Sequence, residues 1–260
     1  MLALHFATSG CAHRASDRSI DAGPASPDAA RQPITLVDAV DLIADTVATC
    51  SISSGVTPML GGADDLATYP SSQQVPLGAM IGSDAAAIAW DSSRFYVTVR
   101  SSAFANAYEP LHIYVEVGDA LSEPSPAQGK EYSGLIAAIP FTPTYLIAVR
   151  RVSDSGSDGP YDGVYVPANG WVTPVTPLSA VTDVFASADD QTLSVQVAWN
   201  ALGGCPSALR LAVHVVNGAA GNEWKDLVPT THTPWQMPGG GYYQLDLTGS
   251  PAIANWTLNP

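Results

Sequence analysis

From about Trp90 onward the chain alternates. In RFYVTVR, Phe95, Val97 and Val99 share one parity and Tyr96, Thr98 and Arg100 the other; in LHIYVEV, Leu111, Ile113, Val115 and Val117 alternate with His112, Tyr114 and Glu116. TLSVQVAW and LRLAVHVV repeat the pattern through Leu193, Val195, Val197 and Trp199 and through Leu209, Leu211, Val213 and Val215. A period of two predicts strands with one buried face. The clusters between them, WDSSR, SDSGSDGPYDG, SADDQ, NALGGCPS and MPGGG, are rich in turn formers. Strands joined by turns predict an all-β chain, an antiparallel β-sandwich. Upstream, ITLVDAVDLIADTVATC spaces Leu36, Val40, Ile43 and Val47 helically against Asp38, Asp41 and Asp45, which predicts a short amphipathic helix ending before Cys50.

Composition divides the chain. Residues 12–33, AHRASDRSIDAGPASPDAARQP, contain one large apolar residue, Ile20, and too little to bury for the segment to order itself, so a flexible tether is expected. A single domain over 34–260 follows it. Charged residues are 13% of the chain, against about 25% in an average soluble protein, while Gly and Pro are abundant, a balance common in exported β proteins. The net charge of −14 repels a polyphosphate backbone, which sets nucleic acid aside. No run of 18 apolar residues is present, so no helix that spans a bilayer is expected.

Residues 1–10, MLALHFATSG, run through small residues into Cys11 and resemble a bacterial lipoprotein signal, with Thr8 where that pattern normally has Leu and without a basic leading region. The resemblance implies lipidation of Cys11, and Ala12 after it is similar to the pattern of lipoproteins sent to the outer membrane. The tether would then carry the domain clear of the membrane. With Cys11 lipidated, Cys50 and Cys205 remain as an even pair. In an oxidising compartment they would form a disulfide closing a loop of about 155 residues and contributing roughly 4–5 kcal/mol. The alternative is two buried, reduced cysteines packing as small hydrophobes.

Catalytic motifs are missing from the sequence: there is no G-x-S-x-G, H-E-x-x-H, C-x-x-C or phosphate-binding Gly-rich loop, and the histidines are scattered, so no enzyme and no catalytic residue is expected. His112 and His214 fall on the outward parity of their strands, which predicts a solvent-facing or cross-strand position. Asp154, Asp158 and Asp162 recur at intervals of four in a Gly-rich loop and are the candidate ligands for a structural calcium, with Asp64–Asp65 a second candidate. Otherwise no cofactor is expected. Flat aromatic rings are the natural means of holding a pyranose face. Trp224, Trp235 and Tyr242, with Tyr243, His232 and Asp226, lie in GNEWKDLVPTTHTPWQMPGGGYYQLDL, which reads as a long connection before the last strand and is the candidate ligand site; Trp199 is assigned to packing and Trp90 to the rim.

GGADDLATYP (61–70), AAIAWDSSRFYVTVRSSAF (86–104), PLHIYVEVGD (110–119) and SADDQTLSVQVAWNALGG (187–204) resemble, in order, segments of the DOMON-like sandwiches, which include family-9 carbohydrate-binding modules. Leu66 stands where many such modules carry Trp. The resemblance implies a sandwich and a glycan ligand; haem, bound by some DOMON relatives, would need an axial pair that Met59, Met80 and Met237 do not suggest by spacing. Two functions stay open. One is a monomeric, non-catalytic outer-membrane lipoprotein that binds carbohydrate through loop aromatics. The other is a structural or protein-interaction lipoprotein of the envelope, docking through the Tyr114 and His112 face.

Overall fold

A computed structural model describes residue 52 and residues 57–74, 83–132, 134–151, 161–172, 174–177, 182–187, 191–217, 223–228, 241–249 and 256–259. Backbone contacts separate Met1–Ala44 from Asp45–Pro260, and every described residue belongs to the second unit. The expected lipidation site, tether and amphipathic helix, together with Cys50, therefore lie outside the described residues.

The described chain is mostly antiparallel sheet with short 3-10 turns. The smaller sheet runs β1 (Ser83–Trp90), β2 (Arg94–Ser101), β10 (Thr192–Ala198), β9 (Thr182–Ala186). The larger runs β14 (Trp256–Asn259), β13 (Tyr242–Asp246), β11 (Ala208–Asn217), β3 (Leu111–Gly118), β6 (Tyr145–Val149), β7 (Gly163–Tyr165), β8 (Thr176–Pro177). β11 is long enough to take two partners on one edge: Ala208 to Leu211 pair with β13, and Val213 to Asn217 pair with β12 (Glu223–Val228). β4 (Ala127–Tyr132) and β5 (Leu135–Ile139) form a separate hairpin.

The alternation decides what these sheets bury. Phe95, Val97 and Val99, the odd residues Leu111 to Val115, and their counterparts on β10 and β11 meet in one apolar core fed by both sheets, joined by Trp90, Phe104 and Trp199. Trp90 and Trp199 are both inside this core, Trp90 without exposure instead of at the rim, and Trp199 in a 3-10 turn (Trp199–Leu202) that follows β10. The WDSSR turn is held by Asp91, whose Oδ1 accepts from the backbone N–H groups of Ser93 at 2.7 Å and Arg94 at 2.8 Å while its carbonyl accepts from Trp199 Nε1 at 2.8 Å.

Of the two positions expected for His112 and His214, the structure gives the cross-strand one, and neither residue faces solvent. The opposite parity is not solvated, because each sheet carries a cover on its outer face. On the smaller sheet, residues 57–74 lay Leu66 and Tyr69 over Ala87, Ala89 and Tyr96. This contact is tied by a buried hydroxyl chain: Tyr69 Oη meets Thr98 Oγ1 at 3.0 Å, Thr98 donates to Ser194 at 2.9 Å, and Ser194 donates to Asp65 Oδ2 at 2.6 Å. On the larger sheet, the β4–β5 hairpin and the segment 161–171 cover Tyr114, Leu146, Ala148 and Ala212 with Ala137, Ile139, Phe141 and Trp171. His112 and Tyr114 are fully buried and His214 nearly so. The face expected to be open for docking is a second core.

Candidate functional site

The residues singled out from the sequence separate. Trp224 and Asp226 are backbone partners of Val216 and Val215, so they stand on strand β12 and not in a loop. Trp235 and His232 lie outside the described residues. Tyr242 is also on a strand; its ring is buried against Phe141, with centroids 5.7 Å apart, and the Arg210 guanidinium lies 4.9 Å from it. Its neighbour Tyr243 points into the main core. Of the three candidate calcium ligands, Asp154 and Asp158 lie outside the described residues, and Asp162 is 2% exposed with Oδ1 3.8 Å from Arg150 Nε. The second candidate is occupied by protein donors: Asp65 accepts from Gly62 N–H and Ser194, and Asp64 pairs with Arg100 at 3.0 Å. Among the described residues, no three His, Cys, Asp or Glu side chains gather as metal ligands would. Cys205 is disulfide-bonded, and its partner lies outside the described residues.

Polar chemistry concentrates instead where the hairpin meets the larger sheet. Loop 102–110 brings Tyr108, β4 brings Lys130 and Tyr132, the end of β6 leads into Arg150, and the approach to β7 supplies Tyr161 and Asp162. Tyr132 donates to the carbonyl of Tyr108 at 3.1 Å, and its ring stands edge-on to Tyr161 with centroids 5.7 Å apart. Tyr161 stacks on His112, at 6.0 Å and 21° between planes, and its hydroxyl shares a short hydrogen bond with His112 Nε2. The Arg150 guanidinium lies 4.2 Å from the centre of the Tyr161 ring. Lys130 Nζ donates to the carbonyl of Trp171 at 2.6 Å and sits 4.5 Å from the Tyr165 ring centre.

The electrostatics follow from burial. Tyr161 is held well above the ordinary phenol range by burial first and then by its neighbouring phenols; Tyr132 is raised by burial and by the Glu109 carboxylate; Tyr165 is pushed up to about 12 by burial and Asp162. All stay neutral at physiological pH. Each presents a flat ring with a protonated hydroxyl at one end. His112 is held well below the ordinary imidazole range, by burial above all and then by His214 and Lys130. Tyr108, 51% exposed, has the most open ring of the group, and Tyr132 and Tyr161 are half-buried behind it.

None of these tyrosines sits in a periodic segment, so pattern analysis passes over them. A signal was nevertheless present: Tyr108–Glu109, Glu131–Tyr132 and Tyr161–Asp162 each set a tyrosine beside a carboxylate. Their convergence is decided by the chain crossing, not by local sequence.

A concavity lies at one end of the larger sheet. Two adjoining clefts of about 170 and 340 Å³ share Asp119, the first walled by the Leu202–Pro206 turn and the second by Ser207, Gln244, Asp246 and Thr248. It has no aromatic wall.

No family model, no curated protein and no solved structure matches this chain.

Proposed function

We propose that this chain is a non-catalytic, lipid-anchored envelope protein whose β domain, a DOMON-like sandwich in type, binds carbohydrate. Two sheets contributing to one core are what a sandwich requires, and the resemblance of four ordered segments supplies the likeness. The observation that carries the ligand class is the tyrosine group, Tyr132 bonded to the Tyr108 carbonyl and edge-on to Tyr161, with the Arg150 guanidinium over the Tyr161 ring. A pyranose offers an apolar C–H face to a ring and hydroxyls to polar partners, and the exposed Tyr108 presents a ring with a hydroxyl at its end. Tyr108 is the exposed ring of the group, so the proposed site moves from the tryptophans of the 222–243 stretch to the turn end of the hairpin.

The test is an oligosaccharide array probed with the purified full chain, followed by affinity measurements on Tyr108→Ala and Tyr132→Ala. Loss of a stacked ring should weaken binding by about ten- to hundredfold, equivalent to roughly 1–3 kcal/mol. Retention of no glycan, with one envelope protein recovered in a pull-down, would overturn the carbohydrate reading in favour of an interaction protein. The anchor is tested separately: Cys11→Ser, in a chain with a complete upstream signal, should move the protein from the membrane to the soluble fraction.

A further inference from the structure

The β4–β5 hairpin is pressed onto the larger sheet by contacts that leave little slack. Gly129 passes over Tyr114 so closely that a β-carbon there would overlap the phenol oxygen, and the next N–H, of Lys130, donates to that oxygen at 2.8 Å. From the other side Trp171 locks the same strand, its Nε1 donating to the carbonyl of Gln128 at 3.1 Å and its own carbonyl accepting from Lys130. Trp171 holds this place with φ of 61°, a left-handed backbone unusual for a bulky residue and one that persists only where surrounding contacts enforce it. Beneath this clamp His112 and His214 are direct cross-strand neighbours, with Tyr114 5.3 Å from the His214 ring.

We propose that the hairpin is an acid-released cover, set free when His112 takes up a proton. The groups facing His112 explain the direction. From β11 comes His214, from β4 Lys130 and Tyr132, from the approach to β7 Tyr161, and from its own strand Tyr114. The two of these that act on its charge, His214 and Lys130, are both bases and oppose an imidazolium. The carboxylates of adjoining elements are already engaged, Asp162 beside Arg150 and Glu109 accepting from Asn106 at 2.7 Å. Closed, the site disfavours the proton; opened, His112 meets water and takes it at its ordinary pKa of about 6.5. Protonation therefore draws the equilibrium toward opening as pH falls below that value. The hairpin is the part that moves, because it is held to the sheet by hydrogen bonds and by the side chains of Lys130, Tyr132, Leu135, Ala137 and Ile139 on this one face, whereas β3 and β11 are also fixed by the main core. Opening would expose Tyr114, Tyr161 and Trp171, but the release does not depend on what the surface then binds.

Hydrogen exchange on the full chain, with rates corrected for the intrinsic effect of pH on amide exchange, tests this. Between about pH 7.5 and pH 5, peptides covering 127–139 should lose protection by up to tenfold for each pH unit below about 6.5, the slope for one linked proton, while peptides of β2 and β10 keep theirs. His112→Gln should abolish the slope. If that variant does not fold, histidine ring-proton NMR on the parent serves: His112 should take up its proton in step with the loss of hairpin protection. Equal hairpin protection at both pH values, simultaneous loss in β2 and β10, or a His112 ring that takes up its proton while the hairpin stays protected would each overturn the proposal. Glycan binding measured at neutral pH is unaffected by any of these outcomes.

Discussion

Gly129 lies against the hydroxyl of Tyr114, so the hairpin backbone touches the sheet side chain with no β-carbon between them. The contact sets the height of the cover above the second core. Gly129→Ala should cost about 1–3 kcal/mol, the usual penalty for forcing volume into a packed contact. Combining it with Tyr114→Phe should recover part of that loss, since the phenol oxygen is what the new methyl would meet. Chemical denaturation of the two single variants and the double variant measures the coupling; simple additivity would mean that the hairpin shifts to make room.

Arg210 and Glu116 form a buried ion pair at 2.5 Å on the outer face of the larger sheet, with Ser122 donating to the same carboxylate at 2.6 Å. Arg210 is 3% exposed and Glu116 5%. Removing one partner leaves a buried charge, so Arg210→Met alone should destabilise by roughly 3–5 kcal/mol, while Arg210→Met with Glu116→Leu should lie much nearer the parent. Urea midpoints of the three proteins decide it.

Asp91 links acid stability to the WDSSR turn. Burial pushes its pKa up, yet hydrogen bonds from Tyr96, Ser93 and Thr57 outweigh that and hold it below the ordinary carboxylate range. A depressed folded value means a contribution that is present above the unfolded pKa, near 3.9, and is lost as pH falls through the folded one. Asp91→Asn should therefore be less stable than the parent at neutral pH, and the gap in Tm should close below about pH 4. A gap of constant size from neutral pH to pH 3 would show that the loss comes from packing alone.

The disulfide of Cys205 is reached by peptide mapping. The expected partner is Cys50, leaving Cys11 for lipid, and non-reducing digestion should yield a Cys50–Cys205 peptide and none containing Cys11. Cys205→Ser should lower stability by about 4–5 kcal/mol if the closed loop runs from residue 50. Reduced, freely alkylated Cys50 in protein taken from the periplasm would contradict the pairing.

The strands of the main core were legible in the sequence because a period of two in RFYVTVR, LHIYVEV, TLSVQVAW and LRLAVHVV is a local property. Each strand carries its own record of which side chains go inside, and Phe95, Ile113, Val195 and Leu211 are where that record puts them. The site was less legible. Tyr242 was visible as an aromatic among Gly and Pro, and only its pairing with Asn259 on one side and packing against Phe141 make it a strand residue with an enclosed ring.

What alternation could not state is whether the other face meets water. Tyr96, Thr98, His112 and Tyr114 read as outward residues, and outward they are, but each faces a cover contributed by distant chain. Asp65 reaches Ser194 across 129 positions, and the Trp171 indole reaches Gln128 across 43. Contacts at such separations leave no periodic trace, because neither partner's neighbours need repeat for the two to meet. The sequence by itself determined the strands and their inner parity, for hydrophobic burial acts residue by residue along a pleat. Only the tertiary structure decided that the second parity is also enclosed, since that depends on where the hairpin and the 57–74 segment cross the sheets, and there tight backbone approach and buried hydrogen bonds, not hydrophobic pattern, set the outcome.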